Sequence, residues 1–224
     1  MNETILAQRG TVLRKNGPRQ LTLSIDKKYL NDIFLINHTR FITANIHSSD
    51  LIINPHCCYM AINNGIQAVE VEYNIDISDH EIIHDPYKYE NSEKVNLKEE
   101  YIKRKFNVPD GYIDTLPKWY SFKFTYSDYN LIFIKPEMAI SIQKHQTRSE
   151  TWEVLFGEPI IISGNRVYYY VKNETTIQHD EGTFHSIINP NKKPDKFVLI
   201  KEQWKGNFDE ADIKRVFNPN NYQS

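Results

Sequence analysis

The chain has 224 residues, 40% hydrophobic and 25% charged, and its 27 basic and 29 acidic side chains leave a formal net charge of −2. That length supports one large or two small domains whose core needs no disulfides or structural metals. The even charge excludes a general nucleic-acid or polyanion surface, which requires concentrated basic charge.

Ten prolines, eight glycines, 14 tyrosines and 11 phenylalanines favour strands over a helical bundle. In the first part of the chain, residues 21–25, 33–36, 41–46, 51–53 and 68–73 have strand length and strand alternation. Asn63-Asn64-Gly65 between two of them predicts a tight turn. Residues 1–78 therefore read as a β-rich N-terminal region, and 79–116 as a connector carrying one helix. Ser92 to Phe106 is the helix candidate, with Ser92 or Asn96 as its cap and Leu97, Tyr101 and Ile102 on one face. Val108-Pro109-Asp110-Gly111 stops it. Strands return over 129–134, 139–145, 151–156, 160–163, 167–171, 185–188 and 196–202, punctuated by Pro136, Gly157, Gly164, Gly182 and Pro190. Short strands at that spacing predict a sandwich or small barrel over 117–224.

No apolar run reaches the length of a membrane-spanning helix, and Met1-Asn2-Glu3-Thr4-Ile5 lacks the regions of a secretory signal. The cysteines are Cys57 and Cys58; adjacent residues rarely close a disulfide, so a reducing, cytoplasmic home is expected. Both read as small buried hydrophobes. His80-Glu81-Ile82-Ile83-His84 spells the zinc-protease pattern, which needs a helix. Asp85-Pro86 follows at once and pushes the preceding residue out of helical geometry, so a loop or strand histidine pair is the better reading. His38, His47 and His56 are scattered over β segments and read as structural or exposed.

The residues that carry chemistry lie between Ser141 and Asn189. On a strand, Ser141, Gln143, His145 and Thr147 share one face, and Ile140, Ile142 and Lys144 the other. After a turn near Arg148-Ser149, Glu150, Trp152 and Val154 share a face of the next strand. Gln143, His145 and Glu150 can converge inside a barrel as neutral nitrogen and oxygen donors plus one carboxylate. That set suits Zn²⁺, Mn²⁺ or Co²⁺. Gly182 permits a turn before a strand opening with His185, which would complete a four-ligand site. Trp152 reads as core.

Gln143-x-His145-x-x-Arg148-x-Glu150-x-Trp152-x-Val154-x-x-Gly157, followed by Gly182-x-x-His185-x-x-x-Asn189-Pro190, resembles the paired motifs of the cupin superfamily. More narrowly it resembles the C-terminal domain of type II mannose-6-phosphate isomerases. The tail agrees, with Gln203 followed by Glu210-Ala211-Asp212-Ile213 and Arg215. The similarity spans about residues 117–218. It implies a mainly β fold with a C-terminal cupin barrel behind the β-rich N-terminal half. It also implies an aldose–ketose isomerase holding one divalent ion, Zn²⁺ first and Mn²⁺ or Co²⁺ as alternatives, with Gln143, His145, Glu150 and His185 as ligands. Arg148 and Arg215 match arginines of the family's active site and suit a sugar phosphate, because a guanidinium pairs bidentately with phosphate oxygens. Mannose 6-phosphate and fructose 6-phosphate are the expected pair, and a homodimer the expected assembly.

The chain departs from the pattern at three points: Thr147 stands where many cupins carry a second histidine, Asp180 where they carry a proline, and His179 is unusual at its position. The N-terminal half carries no paired histidine motif. A non-catalytic carbohydrate-binding or scaffolding cupin is accordingly the alternative, ahead of an oxygenase or an epimerase.

Overall fold

The protein is described by a computed structural model covering residues 1–95, 97–104, 106–207 and 210–220. The N-terminal half contributes nine strands: Asn2–Ile5 (β1), Leu13–Lys15 (β2), Leu21–Ile25 (β3), Ile33–Asn37 (β4), Arg40–Ile42 (β5), Asp50–Ile53 (β6), Cys58–Asn63 (β7), Val69–Tyr73 (β8) and Glu81–His84 (β9). The helix Leu97–Arg104 (α1) follows. Then come Asp114–Pro117 (β10), Ser121–Thr125 (β11), Asn130–Ile134 (β12), Ile142–Lys144 (β13), Arg148–Phe156 (β14), Ile160–Ser163 (β15), Arg166–Tyr168 (β16), Thr176–His179 (β17), His185–Ile188 (β18), Val198–Gly206 (β19) and Lys214–Phe217 (β20).

These strands form three sheets. One has four strands in the order β1-β8-β3-β6, and one has six in the order β10-β11-β12-β19-β14-β17. The third runs through both halves of the chain as β20-β13-β18-β15-β16-β5-β4-β7-β2-β9. Its two five-stranded parts join where Arg166 on β16 pairs with Arg40 on β5, flanked by the bonds Phe41 N–H to Asn165 O and Val167 N–H to Thr39 O.

Apolar runs show how the layers stack. Along β4, Ile33 and Leu35 face the N-terminal interior with Leu21, Leu23, Tyr59 and Val71. Phe34 and Ile36 face the opposite way, into a cluster with Met60, Ile142, Ile160, Ile162 and Phe217. β15 does the same in the C-terminal half, where Ile161 joins the barrel interior with Trp152, Val154, Ile187 and Val198. β4 and β15 are therefore buried on two faces, which is why Ile33–Ile36 and Ile160–Ile162 read as unbroken apolar stretches. Their outer faces meet, so the long sheet folds over at the β5–β16 seam. Phe184 closes the junction, 5.8 Å from Phe34 and 6.3 Å from Phe41.

The six-stranded sheet is likewise covered outside. Phe122, Phe124, Leu131 and Phe133 pack with Leu97, Tyr101 and Phe106 from α1 and the segment after it. The helix is shorter than expected: Ser92 lies in a turn before it, and Asn96 is outside the described residues.

Several sequence expectations change. Asn63-Asn64-Gly65 opens a loop that carries the chain from the long sheet to the four-stranded one, because β7 and β8 pair in different sheets. The buried Asn63 amide ties that loop by donating to the carbonyls of Ile5, Leu6 and Gln67. The strand expected over 41–46 ends at Ile42. Glu81–His84 is strand, as its proline neighbour requires, and pairs with β2. Cys58 is buried and Cys57 half-buried, both as free thiols. Among the described residues no helix is long and apolar enough to cross a membrane.

Candidate metal centre

The centre is built on the β13–β14 connection. The expected turn at Arg148-Ser149 falls earlier, at Gln146–Thr147, and a carboxylate fixes it there. Asp212 Oδ2 accepts from the backbone N–H of Gln146 and of Thr147 and from Thr147 Oγ1, each at 2.9 Å. Thr147, at the position of the missing histidine, is thereby committed to Asp212. Gly206 lets β19 run close beside this bend: its φ is +103°, and a Cβ there would collide with the Thr147 carbonyl oxygen. Gly206→Ala should cost roughly 1–3 kcal/mol from backbone strain and loosen the bend. Urea denaturation would check this, with an unchanged midpoint as the contrary result.

Because the turn comes early, Arg148 is already on β14, where it alternates inward with Glu150, Trp152 and Val154. It is only 4% exposed, so it belongs to the barrel interior and not to a surface turn. Trp152 is fully buried in the barrel core, as expected. Across the sheet, Gln143 on β13 pairs with His185 on β18.

His145, Glu150 and His185 are all buried, and their donor atoms lie within 4.8 Å of one another. His145 Nε2 is 3.1 Å from Glu150 Oε1, and His185 Nε2 is 3.5 Å from Glu150 Oε2. Nδ1 of His185 is 2.9 Å from the Thr183 carbonyl. A carbonyl can only accept, so Nδ1 carries the proton and Nε2 is bare. Burial pushes the His185 pKa down to about 4, which keeps the ring neutral at pH 7. Burial would raise Glu150, but the Arg148 guanidinium and the histidines beside it hold the carboxyl below its ordinary range. With His185 neutral, Arg148 is the standing positive charge on that carboxylate. A bare nitrogen and an ionised oxygen thus face each other, both buried and without a hydrogen-bond partner.

Such a pair fits a cation. Donors bound at 2.0–2.2 Å around a tetrahedral ion stand about 3.3 Å apart, close to both separations seen here. The histidine orientation, held through the second ring nitrogen by a backbone carbonyl, is the one metal ligands use. His145, Glu150 and His185 could therefore hold a divalent ion. Arg148 is a neighbour of that position: Nε donates to Glu150 Oε1 at 2.9 Å and Nη2 approaches His145 Nε2 at 3.1 Å.

His179, an unusual residue beside Asp180, was not among the expected ligands. It pairs across the sheet with Glu150, is 1% exposed and sits edge-on to Trp152 with ring centroids 4.2 Å apart. Its Nδ1 is 3.0 Å from Ser163 Oγ, while Nε2 has no partner. Burial, then the neighbouring His185, pushes its pKa down to about 3. The signal was the inward alternation of Ile177 and His179, in a strand that the turn residues around Gly182 had obscured.

Gln143 and Arg215 lie outside the triplet, on the wall of a cleft of about 100 Å³ that also takes in Arg148, Lys118, Lys123 and Glu202. Gln143 Oε1 accepts from Ser141 Oγ at 2.7 Å. Arg215 lies on β20, opposite Gln143. Lys144 turns away, with Nζ 4.8 Å from the Phe184 ring centroid. In the tail, Asp209 and the side chain of Glu210 are outside the described residues.

A family model for the C-terminal domain of mannose-6-phosphate isomerase matches residues 95–218, more than half of the chain. The chain belongs to this family. The match to the mannose-6-phosphate isomerase C-terminal family takes in α1 and β10–β20 and leaves β1–β9 outside it. No curated protein sequence matches the chain.

Among solved structures it is similar to the "putative sugar phosphate isomerase" of Acidithiobacillus ferrooxidans, with 19% identity over 36% of this chain and 50% of that one and a TM-score of 0.32. It is also similar to a cupin-2 domain of Rhodospirillum rubrum, with 13% identity over 41% and 68% and a TM-score of 0.35. A third is the capsular polysaccharide assembling protein CapF of Staphylococcus aureus, with 20% identity over 48% and 30% and a TM-score of 0.35. The alignment thus spans half the length of the first of these proteins and under a third of CapF.

Proposed function

We propose that this member of the mannose-6-phosphate isomerase C-terminal family is a divalent-metal aldose–ketose isomerase that interconverts mannose 6-phosphate and fructose 6-phosphate. The observation that carries the reading is the bare His185 nitrogen and ionised Glu150 oxygen, buried together without a partner beneath a cleft lined with cations. His145, Glu150 and His185 hold the ion, with Gln143 as the neutral oxygen donor nearest in sequence. Zn²⁺ is the first candidate; Mn²⁺ and Co²⁺ suit the same donors. When bound, the ion supplies Lewis acidity to the C1 and C2 oxygens of the sugar.

The chain's own residues do the rest. Arg148, held against Glu150 and His145, keeps the carboxylate ionised and in place. Arg215 and Lys118 offer positive charge at the cleft wall for the 6-phosphate. Arg215→Ala should remove a charged hydrogen bond worth about 1.5–3 kcal/mol. That is a KM roughly 10- to 100-fold higher with kcat little changed, and steady-state kinetics would show it. A fall in kcat at constant KM would instead place Arg215 at the reacting carbons.

The test is chelation followed by titration with each metal, reading metal content and formation of fructose 6-phosphate together. Expected is about one ion per chain, with activity that is lost on chelation and restored on reloading. Metal bound without turnover of any hexose phosphate would overturn the isomerase reading. Arg148 already occupies His145 Nε2 and Glu150 Oε1, which favours the carbohydrate-binding alternative as the reading to take up in that case.

A further inference from the structure

An aldose–ketose isomerase must move a proton between two carbons, and none of the residues assigned above does so. Glu150 is taken up by Arg148 and His145, at 2.9 and 3.1 Å from its Oε1, and is one of the residues assigned to the ion. Among the described residues, the carboxylate lining the cleft is Glu202, on β19. It lies opposite Trp152 in the sheet and is 8% exposed. Its side chain is fixed from two directions: Asn130 Nδ2 donates to Oε1 at 2.7 Å and Trp152 Nε1 to Oε2 at 3.2 Å. Each oxygen keeps a second lone pair, and the residue lines the cleft together with Gln143, Arg148 and Arg215.

We infer that Glu202 is the catalytic base of the proposed isomerisation, carrying the proton between C2 and C1 of the sugar phosphate. The inference rests on the isomerase reading. In the forward direction the C2–H bond breaks and its proton goes to the Glu202 carboxylate. The electron pair left behind forms the C1–C2 double bond, and the C1 carbonyl π pair collects on O1. The hydroxyl proton passes from O2 to O1. The double-bond pair then takes the proton back from Glu202 at C1 as an O2 pair closes the C2 carbonyl. C2 is oxidised and C1 reduced to the same extent, so there is no net redox change and no co-reactant is consumed.

The surroundings suit the task. Burial pushes the Glu202 carboxyl above the usual carboxylate range, toward the working pH, against the lowering influence of Asn130, Lys123 and Arg148. A base poised near the working pH transfers protons most effectively.

The test compares wild type, Glu202→Gln and Glu202→Asp, each loaded with the same metal, on mannose 6-phosphate deuterated at C2. Glutamine fits without a new charge, because the partnerless Asn130 Oδ1 can receive its amide after a flip of Asn130. Wild type should convert the sugar and wash deuterium into solvent. Glu202→Gln should lose about 10²- to 10⁴-fold in kcat and lose the wash-out, while KM, metal content and melting temperature hold. Glu202→Asp should recover part of both. An active wild type with Glu202→Gln within threefold of it overturns this assignment alone. A metal-loaded wild type that turns over no hexose phosphate overturns the isomerase reading and the assignment with it. A Glu202→Gln protein that retains wash-out but loses conversion overturns the proton-transfer role.

Discussion

Glu150→Ala should cost about 3–5 kcal/mol of stability and abolish binding of a divalent ion in the same step. The two losses have different causes. The carboxylate is the anion beside the buried Arg148 guanidinium, 2.9 Å from Nε, and a buried charge stripped of its partner is expensive. It also stands between His145 and His185, so its removal leaves two imidazoles with no anionic donor. Urea denaturation and metal analysis of one preparation separate the effects. The double variant Arg148→Met, Glu150→Leu should regain most of the stability, since apolar replacement of a buried pair is often neutral, and should still bind no ion. A single variant that loses the ion but less than about 1 kcal/mol would show that Arg148 finds another anion. Full retention of the ion would remove Glu150 from the centre.

The second large effect is expected on cutting the chain. A protein of residues 95–224 keeps the whole of the family match, yet it uncovers the faces of β13, β15, β18 and β20 that pack against Phe34, Ile36, Phe41 and Met60. Soluble monomers rarely expose contiguous apolar patches of more than a few hundred Å². The fragment should therefore self-associate or precipitate where the full chain does not, and light scattering across a dilution series would show it. A monodisperse, metal-binding monomer would mean that residues 1–94 are dispensable for the barrel, and that the β5–β16 seam contributes little.

Sequence alone shows the motif-bearing strands because their chemistry is local. His145, Glu150 and His185 meet as alternation on short strands requires, and Trp152 goes to the core. The fold class and the family were readable for the same reason. Arg148 was harder. Its burial depends on a bend two residues earlier, and the bend is held by Asp212, 64 residues downstream in the chain, which no local rule connects to Thr147. The inward placement of His179 was hidden because β17 is an edge strand with one apolar inward residue, too weak a pattern to stand out beside Gly182. The shared core between the halves was least visible. Ile160-Ile161-Ile162 and Phe34-Leu35-Ile36 show that both faces are buried, but not against what, and the pairing of β5 with β16 bridges more than a hundred residues.

That seam has a thermodynamic consequence. Two sheet faces that must find each other as separate molecules do so only above a threshold concentration, and the pair falls apart on dilution. Here they are linked by a single polypeptide, so each meets the other at an effective concentration in roughly the millimolar range. The barrel carrying His145, Glu150 and His185 is thus covered at any protein concentration, down to a few molecules per cell.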